Sequence, residues 1–269
     1  YEIVVSDWSS DVCSSDLQKV RFELMPEDDQ ADPRTATTVA QRLVDAGVKG
    51  VVGHVTSGAA TPASRIYEQA GVPSITPSAT SPKLTQQKFK TTYRVIANDM
   101  QQGAAMARFA TEALKAKRIA VIDDRTAYGQ GLADALVDNL KRLGVTPVGR
   151  EFTNDKATDF SAILTRLKAA KPDAIFYGGM DAQGAPLLRQ MKQLGIDAKY
   201  LGGDGVCTTE MIKLAGPAIN ADVFCTQAGI PMDKMPAGKS FNERFLKRFN
   251  TPVQLYAPYS YDAASALIE

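Results

Sequence analysis

Residues 32–52 read DPRTATTVAQRLVDAGVKGVV, and the fold class follows from this run. Asp32 before Pro33 marks a helix start. The carboxylate accepts from free backbone N–H groups, and proline at the first helical position gives up no bond. Ala36, Val39, Ala40, Leu43 and Val44 then fall at i, i+3, i+4, i+7 and i+8, so they share one helical face. Gly47 stops the helix where a left-handed residue is needed, and Val51-Val52-Gly53 resumes as a strand. The unit is helix, glycine turn, strand.

The same punctuation recurs along the chain. Ala46-Gly47-Val48 is matched by Ala70-Gly71-Val72, Leu143-Gly144-Val145 and Leu194-Gly195-Ile196, each after a helical stretch and before a strand. Turns of this one kind argue for repeated βα units and a parallel sheet. Strands are expected at 20–24, 51–53, 72–75, 118–122, 174–177, 200–202 and 223–226. Helical faces are expected at Leu132, Leu136, Leu140 and Leu143, and at Leu187, Leu188, Met191 and Leu194. Residues 91–96 and 226–231 read as extended crossings between two α/β lobes. A chain that crosses more than once makes a hinge, and hinged lobes close on a ligand between them.

Bulk properties exclude several functions. Lys plus Arg number 31 against 30 Asp plus Glu, a net charge of +1, which lacks the basic excess of a nucleic-acid-binding protein. No apolar run approaches the roughly 18–20 residues that cross a bilayer. Three cysteines (Cys13, Cys207, Cys225) and one histidine (His54) form no CxxC or HExxH, so no metal site is expected. A single histidine also gives no persuasive catalytic triad, and an enzyme is not expected. Gly129-Gln130-Gly131 lacks the third glycine of a dinucleotide fingerprint, and Gly178-Gly179 lacks the Lys-Ser/Thr of a phosphate loop, so no cofactor is expected. Residues 6–17 read SDWSSDVCSSDL, which resembles a translated sequencing-library adapter. Residues 1–17 are therefore expected to be an artefact and are set aside.

In open parallel sheets, ligands bind beyond the carboxyl ends of strands, near helix N-termini. Three loops qualify. In residues 53–58, Ser57 stands before a helix and suits a carboxylate, or serves as a plain N-cap; His54 reads as a packing residue. In residues 76–80, the Thr80 hydroxyl and the Ser78 backbone could grip an ammonium and a carboxylate together, or form a proline-containing turn. In Gly202-Gly203-Asp204-Gly205 the glycines admit close approach, and Asp204 could pair with an ammonium or simply sit in a glycine-rich turn. Tyr128, Met180 and Tyr256 stand at expected element ends.

Taken in order, these motifs resemble a family. Val51-Val52-Gly53-His54, Ser57, Thr61-Pro62-Ala63-Ser64, Ile75-Thr76-Pro77-Ser78-Ala79-Thr80, Tyr128-Gly129-Gln130-Gly131-Leu132 and Phe176-Tyr177-Gly178-Gly179 resemble the Leu/Ile/Val-binding proteins, which are type I periplasmic binding proteins. The resemblance covers roughly residues 18–269. It implies an α/β fold of two Rossmann-like lobes, parallel sheets flanked by helices, hinged around a central cleft. Lobe 1 would comprise 18–97 and 228–269 and be incomplete; lobe 2 would comprise 98–227.

Carried over by position, Ser57 and Thr80 would bind an α-carboxylate, Ser78 and Ala79 would supply the adjoining backbone, and Asp204 would receive an α-ammonium. Tyr128, Met180 and Tyr256 would line the side-chain end. The family's best-known members have an aromatic residue where Met180 stands, and commonly Glu where Asp204 stands. Their disulfide near the first ligand loop has no counterpart, because Thr56 occupies one of its positions. Cys207 and Cys225 could pair instead, or remain buried thiols. The implied role is a periplasmic, monomeric receptor for a branched-chain or similar amino acid. Its partners are the free amino acid and an ABC-transporter permease, with no nucleic acid and no cofactor. An amide- or amino-acid-responsive sensor of the same fold is the alternative. The resemblance also implies further strands beyond residue 269.

Overall fold

The computed structural model describes residues 22–269, so the adapter reading of residues 1–17 lies outside the described residues. Its first element follows from the cap read above. Asp32 accepts from the backbone N–H groups of Arg34 and Thr35 at 3.0 and 2.7 Å and starts α1 (Pro33–Asp45). Ala36, Val39, Ala40 and Leu43 are buried on its inner face, against α2 (Ser57–Ala70). Gly71 closes α2 in the left-handed conformation at φ 68°, the conformation that a Cβ disfavours.

Between and after these helices run β1 (Val51–Val52), β2 (Ser74–Thr76), α3 (Pro82–Gln86) and β3 (Thr92–Arg94). The three strands form a parallel sheet in the order β1-β2-β3. Two expectations are corrected here. No strand forms over residues 22–24 of the expected 20–24. Phe22 and Leu24 are exposed there, and without a neighbouring ladder an apolar run has nothing to pair with. The segment at 91–96 is not a crossing throughout, because residues 92–94 pair with β2 as the third strand.

The second sheet follows α4 (Asp99–Arg108), which runs into a π-helical turn at Phe109–Ala113. It contains β4 (Ile119–Asp123), α5 (Ala127–Arg142), β5 (Gly149–Phe152), α6 (Ser161–Ala169), β6 (Ala174–Gly178), α7 (Asp181–Gln193), β7 (Lys199–Gly202), α8 (Thr209–Ala215) and β8 (Val223–Cys225). All its strand pairs are parallel, in the order β5-β4-β6-β7-β8. The order reverses between β4 and β6, the switch point at whose carboxyl side open parallel sheets commonly receive ligands.

Side chains along β4 and β6 alternate between two cores. Ala120, Ile122, Ile175 and Tyr177 pack with α6, α7 and α8, while Ile119, Val121, Ala174 and Phe176 pack with α4 and α5. Burial on both faces explains why these strands read as continuous apolar runs. β5, with Gly-Arg-Glu-Phe, lies at the sheet edge and carries too little apolar pattern to be seen in the sequence.

Beyond β8 the chain returns to the first sheet. Ala97 N donates to Ala228 O at 2.8 Å, which lays the two connecting segments side by side, and Ile96, Ala228 and Tyr259 pack together there. After α9 (Gly238–Phe249), α10 (Ala257–Ile268) packs on β1 and β2. Pro258 is accepted in its first turn, where a proline gives up no helical bond.

Two covalent or steric constraints shape the second sheet. Cys207 and Cys225 form a disulfide, with Cα atoms 5.5 Å apart. It ties the turn after β7 to the end of β8. Gly129, in the first turn of α5, lies against the Asp124 carboxylate and the Gly178 carbonyl, where a Cβ would collide with both. The first glycine of the pair that fails as a nucleotide fingerprint thus serves close packing of α5 on β6.

Gly129→Ala should destabilise the protein by about 1–3 kcal/mol through this overlap. Gly131→Ala should be neutral or stabilising by up to ~1 kcal/mol, because its Cβ meets nothing closer than 3.9 Å. Urea unfolding of both variants checks the contrast; equal stabilities would contradict it. Replacing both Cys207 and Cys225 by Ser opens a loop of 18 residues' separation and should cost about 3 kcal/mol by the chain-entropy relation. A loss below about 1 kcal/mol would show that the bridge contributes little.

Candidate functional site

The first sheet presents two loops, and hydroxyl groups stitch them together. Thr56, rather than Ser57, caps α2: its side chain accepts from Ala59 N at 3.4 Å. That corrects the reading of Ser57 as a cap and frees its hydroxyl. Ser57 Oγ accepts from Ser81 N at 3.1 Å, and Ser78 Oγ donates to Val55 O at 2.8 Å. Thr76 Oγ1 donates to His54 O at 2.7 Å and accepts from Ala79 N at 2.9 Å. With those bonds made, the loop at Ser78 and Ala79 has a set shape.

His54 is held from both sides. Its Nδ1 lies 2.6 Å from Asp29 Oδ2 and its Nε2 lies 2.9 Å from the Tyr67 hydroxyl. It is buried and packs against Tyr67, which matches a packing role. Burial alone would raise the Asp29 carboxyl, but hydrogen bonds from His54 and the Ala31 N–H outweigh it, and Asp29 lies below its usual range.

The second sheet contributes Asp204, which opens a 3-10 turn (Asp204–Val206) directly after β7. Its carboxylate is 1% exposed and is met by three donors. Gln102 Nε2 and the Tyr128 hydroxyl donate to Oδ1 at 2.8 and 2.7 Å, and the Tyr256 hydroxyl donates to Oδ2 at 2.6 Å. Burial, then the Asp204 charge, pushes both phenols far above their ordinary range, so they stay protonated and donate. The Tyr128 oxygen also accepts from Gly205 N at 2.9 Å. At Gly205 a Cβ would meet Met180 Sδ and Tyr128 Cε1, each at 2.9 Å, so these side chains converge on the glycine turn.

Gln102 and Asp99 were not singled out in the sequence. Gln102 Oε1 accepts from Asp204 N at 3.2 Å and from Thr226 Oγ1 at 2.9 Å, while its Nε2 serves Asp204. Asp99 is fully buried, and its N–H donates to Thr80 O at 3.0 Å. Burial, together with the Asp204 charge, holds the Asp99 carboxyl up at about 7. A signal was present: Asp99, Gln102, Gly103, Met106 and Ala107 share the spacing of one buried face, and two of the five are polar.

The structure thus brings Thr80, Tyr128, Met180, Asp204 and Tyr256 to one place, with Asp99 and Gln102 between them. Ser57, Ser78 and Ala79 join from the first sheet through the Ser57–Ser81 and Thr76–Ala79 bonds. Thr80 Oγ1 and Asp99 Oδ2 are buried without a hydrogen-bond partner. Among the described residues, no group of three or more His, Cys, Asp or Glu side chains is placed to hold a metal ion, and no helix is long and apolar enough to cross a membrane.

Comparison with known proteins gives a consistent picture. The chain is 36% identical over 249 residues to an amino acid binding protein of Pseudomonas aeruginosa, covering 92% of this chain and 66% of that protein. It is 36% identical over 245 residues to Leu/Ile/Val-binding protein homolog 1 of Brucella abortus, covering 90% of this chain and 64% of the relative. The chain therefore spans about two thirds of the length of these relatives. Among solved structures, a leucine-binding protein of Thermotoga maritima superposes with a TM-score of 0.83 at 31% identity, over 88% of this chain and 68% of that one. A branched-chain amino acid transporter substrate-binding protein of Streptococcus pneumoniae, in complex with isoleucine, superposes with a TM-score of 0.80 at 26% identity, over 90% of this chain and 70% of that one. The profile of the family described as periplasmic binding protein matches residues 16–269, and this chain belongs to that family, with the type I fold.

Proposed function

We propose that this protein captures a free α-amino acid with a branched-chain or similar side chain in the periplasm and delivers it to an ABC-transporter permease. The observation that carries this reading is the buried Asp204 carboxylate, ringed by donors and linked through Gln102 and Asp99 to the loop that carries Thr80. A buried carboxylate of this kind suits a cation, and a hydroxyl at the end of a parallel sheet suits the carboxylate on the same ligand. The relatives named for leucine, isoleucine and valine, and the neighbour holding isoleucine, support the same ligand class.

In this reading Ser57 and Thr80 receive the α-carboxylate, with the Ser78 and Ala79 backbone alongside, and Asp204 receives the α-ammonium. Tyr128, Met180 and Tyr256 form the side-chain end. Methionine is flexible and polarisable, which suits aliphatic side chains of differing shape. The lobes, 18–97 with 228–269 and 98–227, close about the paired connections at Ala97 and Ala228. The protein works as a monomer and performs no bond chemistry; closure on the ligand is the signal that the permease reads.

Asp204→Ala should weaken binding of leucine, isoleucine or valine by about 100-fold or more, since removing one side of a buried charge pair costs ~2–5 kcal/mol. Calorimetric titration checks this. Unchanged affinity in a folded variant would remove Asp204 from the ammonium role, and failure of the unaltered protein to bind any amino acid would end the amino-acid reading.

A further inference from the structure

Asp204 sits on an arch between β7 and α8, and both feet of that arch stand on the end of β8. At the first foot, Gly202 pairs with Cys225 in the parallel ladder, and Thr226 N donates to Gly202 O at 3.0 Å. At the second foot, the disulfide joins Cys207 to the same Cys225, and Cys207 N donates back to Asp204 O at 3.0 Å. The ladder ends at the first foot. Past it, the bridge ties the arch to the sheet, and Thr208 Oγ1 donates to Asp181 Oδ2 of α7 at 2.6 Å.

The arch holds its own shape poorly, because Gly202, Gly203 and Gly205 surround Asp204 and glycine backbone is the least restrained. Larger residues do not fit. A Cβ at Gly203 would collide with Leu132 and the Tyr128 hydroxyl, and one at Gly205 with the Gly179 carbonyl and the Met180 sulfur. Restraint therefore has to come from outside the arch. The β8 end supplies it twice. Thr226, next to Cys225, donates to Gln102 Oε1 at 2.9 Å, and Gln102 Nε2 donates to Asp204 Oδ1 at 2.8 Å. The path from the Asp204 carboxylate through Gln102, Thr226, Cys225 and Cys207 returns to the Asp204 backbone, and the disulfide closes that ring.

We propose that Cys207 and Cys225 are positioning residues of the binding site: their disulfide holds the glycine arch so that Asp204 is aimed before a ligand arrives, and amino-acid affinity depends on the bridge being closed. This rests on reading Asp204 as a ligand-binding residue. With the bridge open, the arch samples arrangements in which the carboxylate leaves its donors. Only the aimed fraction binds, and apparent affinity falls by that fraction. The buried Val206 and the Thr208–Asp181 bond still hold part of the arch, so the aimed fraction falls to about a tenth. Cys225 is exposed and Cys207 half-buried, so a dithiol in solution reaches the bridge. In that exchange the dithiol gives up two electrons and two protons and closes into its own disulfide. The Cys207–Cys225 S–S bond breaks and two thiols form.

The test is calorimetric titration with L-leucine of the oxidised protein, of the protein reduced with dithiothreitol, and of the Cys207→Ser, Cys225→Ser double variant. Thiol counting checks that the bridge is open, and circular dichroism checks the fold. Both opened forms should bind leucine about tenfold more weakly, and reoxidation of the reduced protein should restore the affinity. The same comparison in Asp204→Ala separates aiming from general support. With the carboxylate gone, opening the bridge should change affinity by about twofold or less. An opened protein that keeps its leucine affinity to within about twofold would overturn the proposal and leave the amino-acid reading intact. So would an equal tenfold loss in both backgrounds, or unfolding of both opened forms, because the bridge would then support the whole lobe rather than aim one side chain. Failure of the oxidised, unaltered protein to bind any amino acid would instead remove the functional reading, and the positioning role with it.

Discussion

The carboxylate of Asp204 is held by groups from three distant parts of the chain. Gln102 comes from α4, Tyr128 from α5 and Tyr256 from the segment before α10. A buried carboxylate without donors would be expensive, whereas one with three charge-assisted bonds is stable and fixed in direction. The same bonds join the turn after β7 to elements that approach from other sides. Everything else at the site is arranged around keeping that group buried and aimed.

The parallel sheets make such an arrangement available. Every βα unit ends a strand and starts a helix at the same edge, so loops from successive units gather at one end. Close packing then decides which side chains meet. Gly129 lets α5 approach β6 at Gly178, which brings Tyr128 toward Gly205. The Cys207–Cys225 disulfide anchors the turn that follows Asp204 to β8, and Thr226, just past that strand, donates to Gln102. The disulfide and the hydrogen-bond network therefore brace one turn from two directions.

Much of this was legible in the residues alone. The repeated glycine turns mark real helix ends at Gly47, Gly71, Gly144 and Gly195, all with positive φ. The apolar strands of the second sheet stand where their β-rich runs predicted. β5 leaves no mark in the sequence because an edge strand needs little apolar pattern, and β3 reads as a connection because three residues carry no readable period. Thr56 rather than Ser57 caps α2, a one-residue distinction between two hydroxyl side chains that only backbone geometry makes.

Local propensity and periodicity determined the α/β class, the order of units and the loops where a ligand would sit, because these depend on neighbours a few residues away. The acids and amides that meet at the site depend on contacts between residues 102 apart, as in the Gln102–Asp204 pair, and no local pattern encodes them. Asp99 illustrates the difference. In the sequence it is an acid in the first turn of a helix, which ordinarily means a solvated partner for the helix dipole. Only the packing of α4 against the turn after β7 turns it inward, strips it of water and sets it beside a second carboxylate.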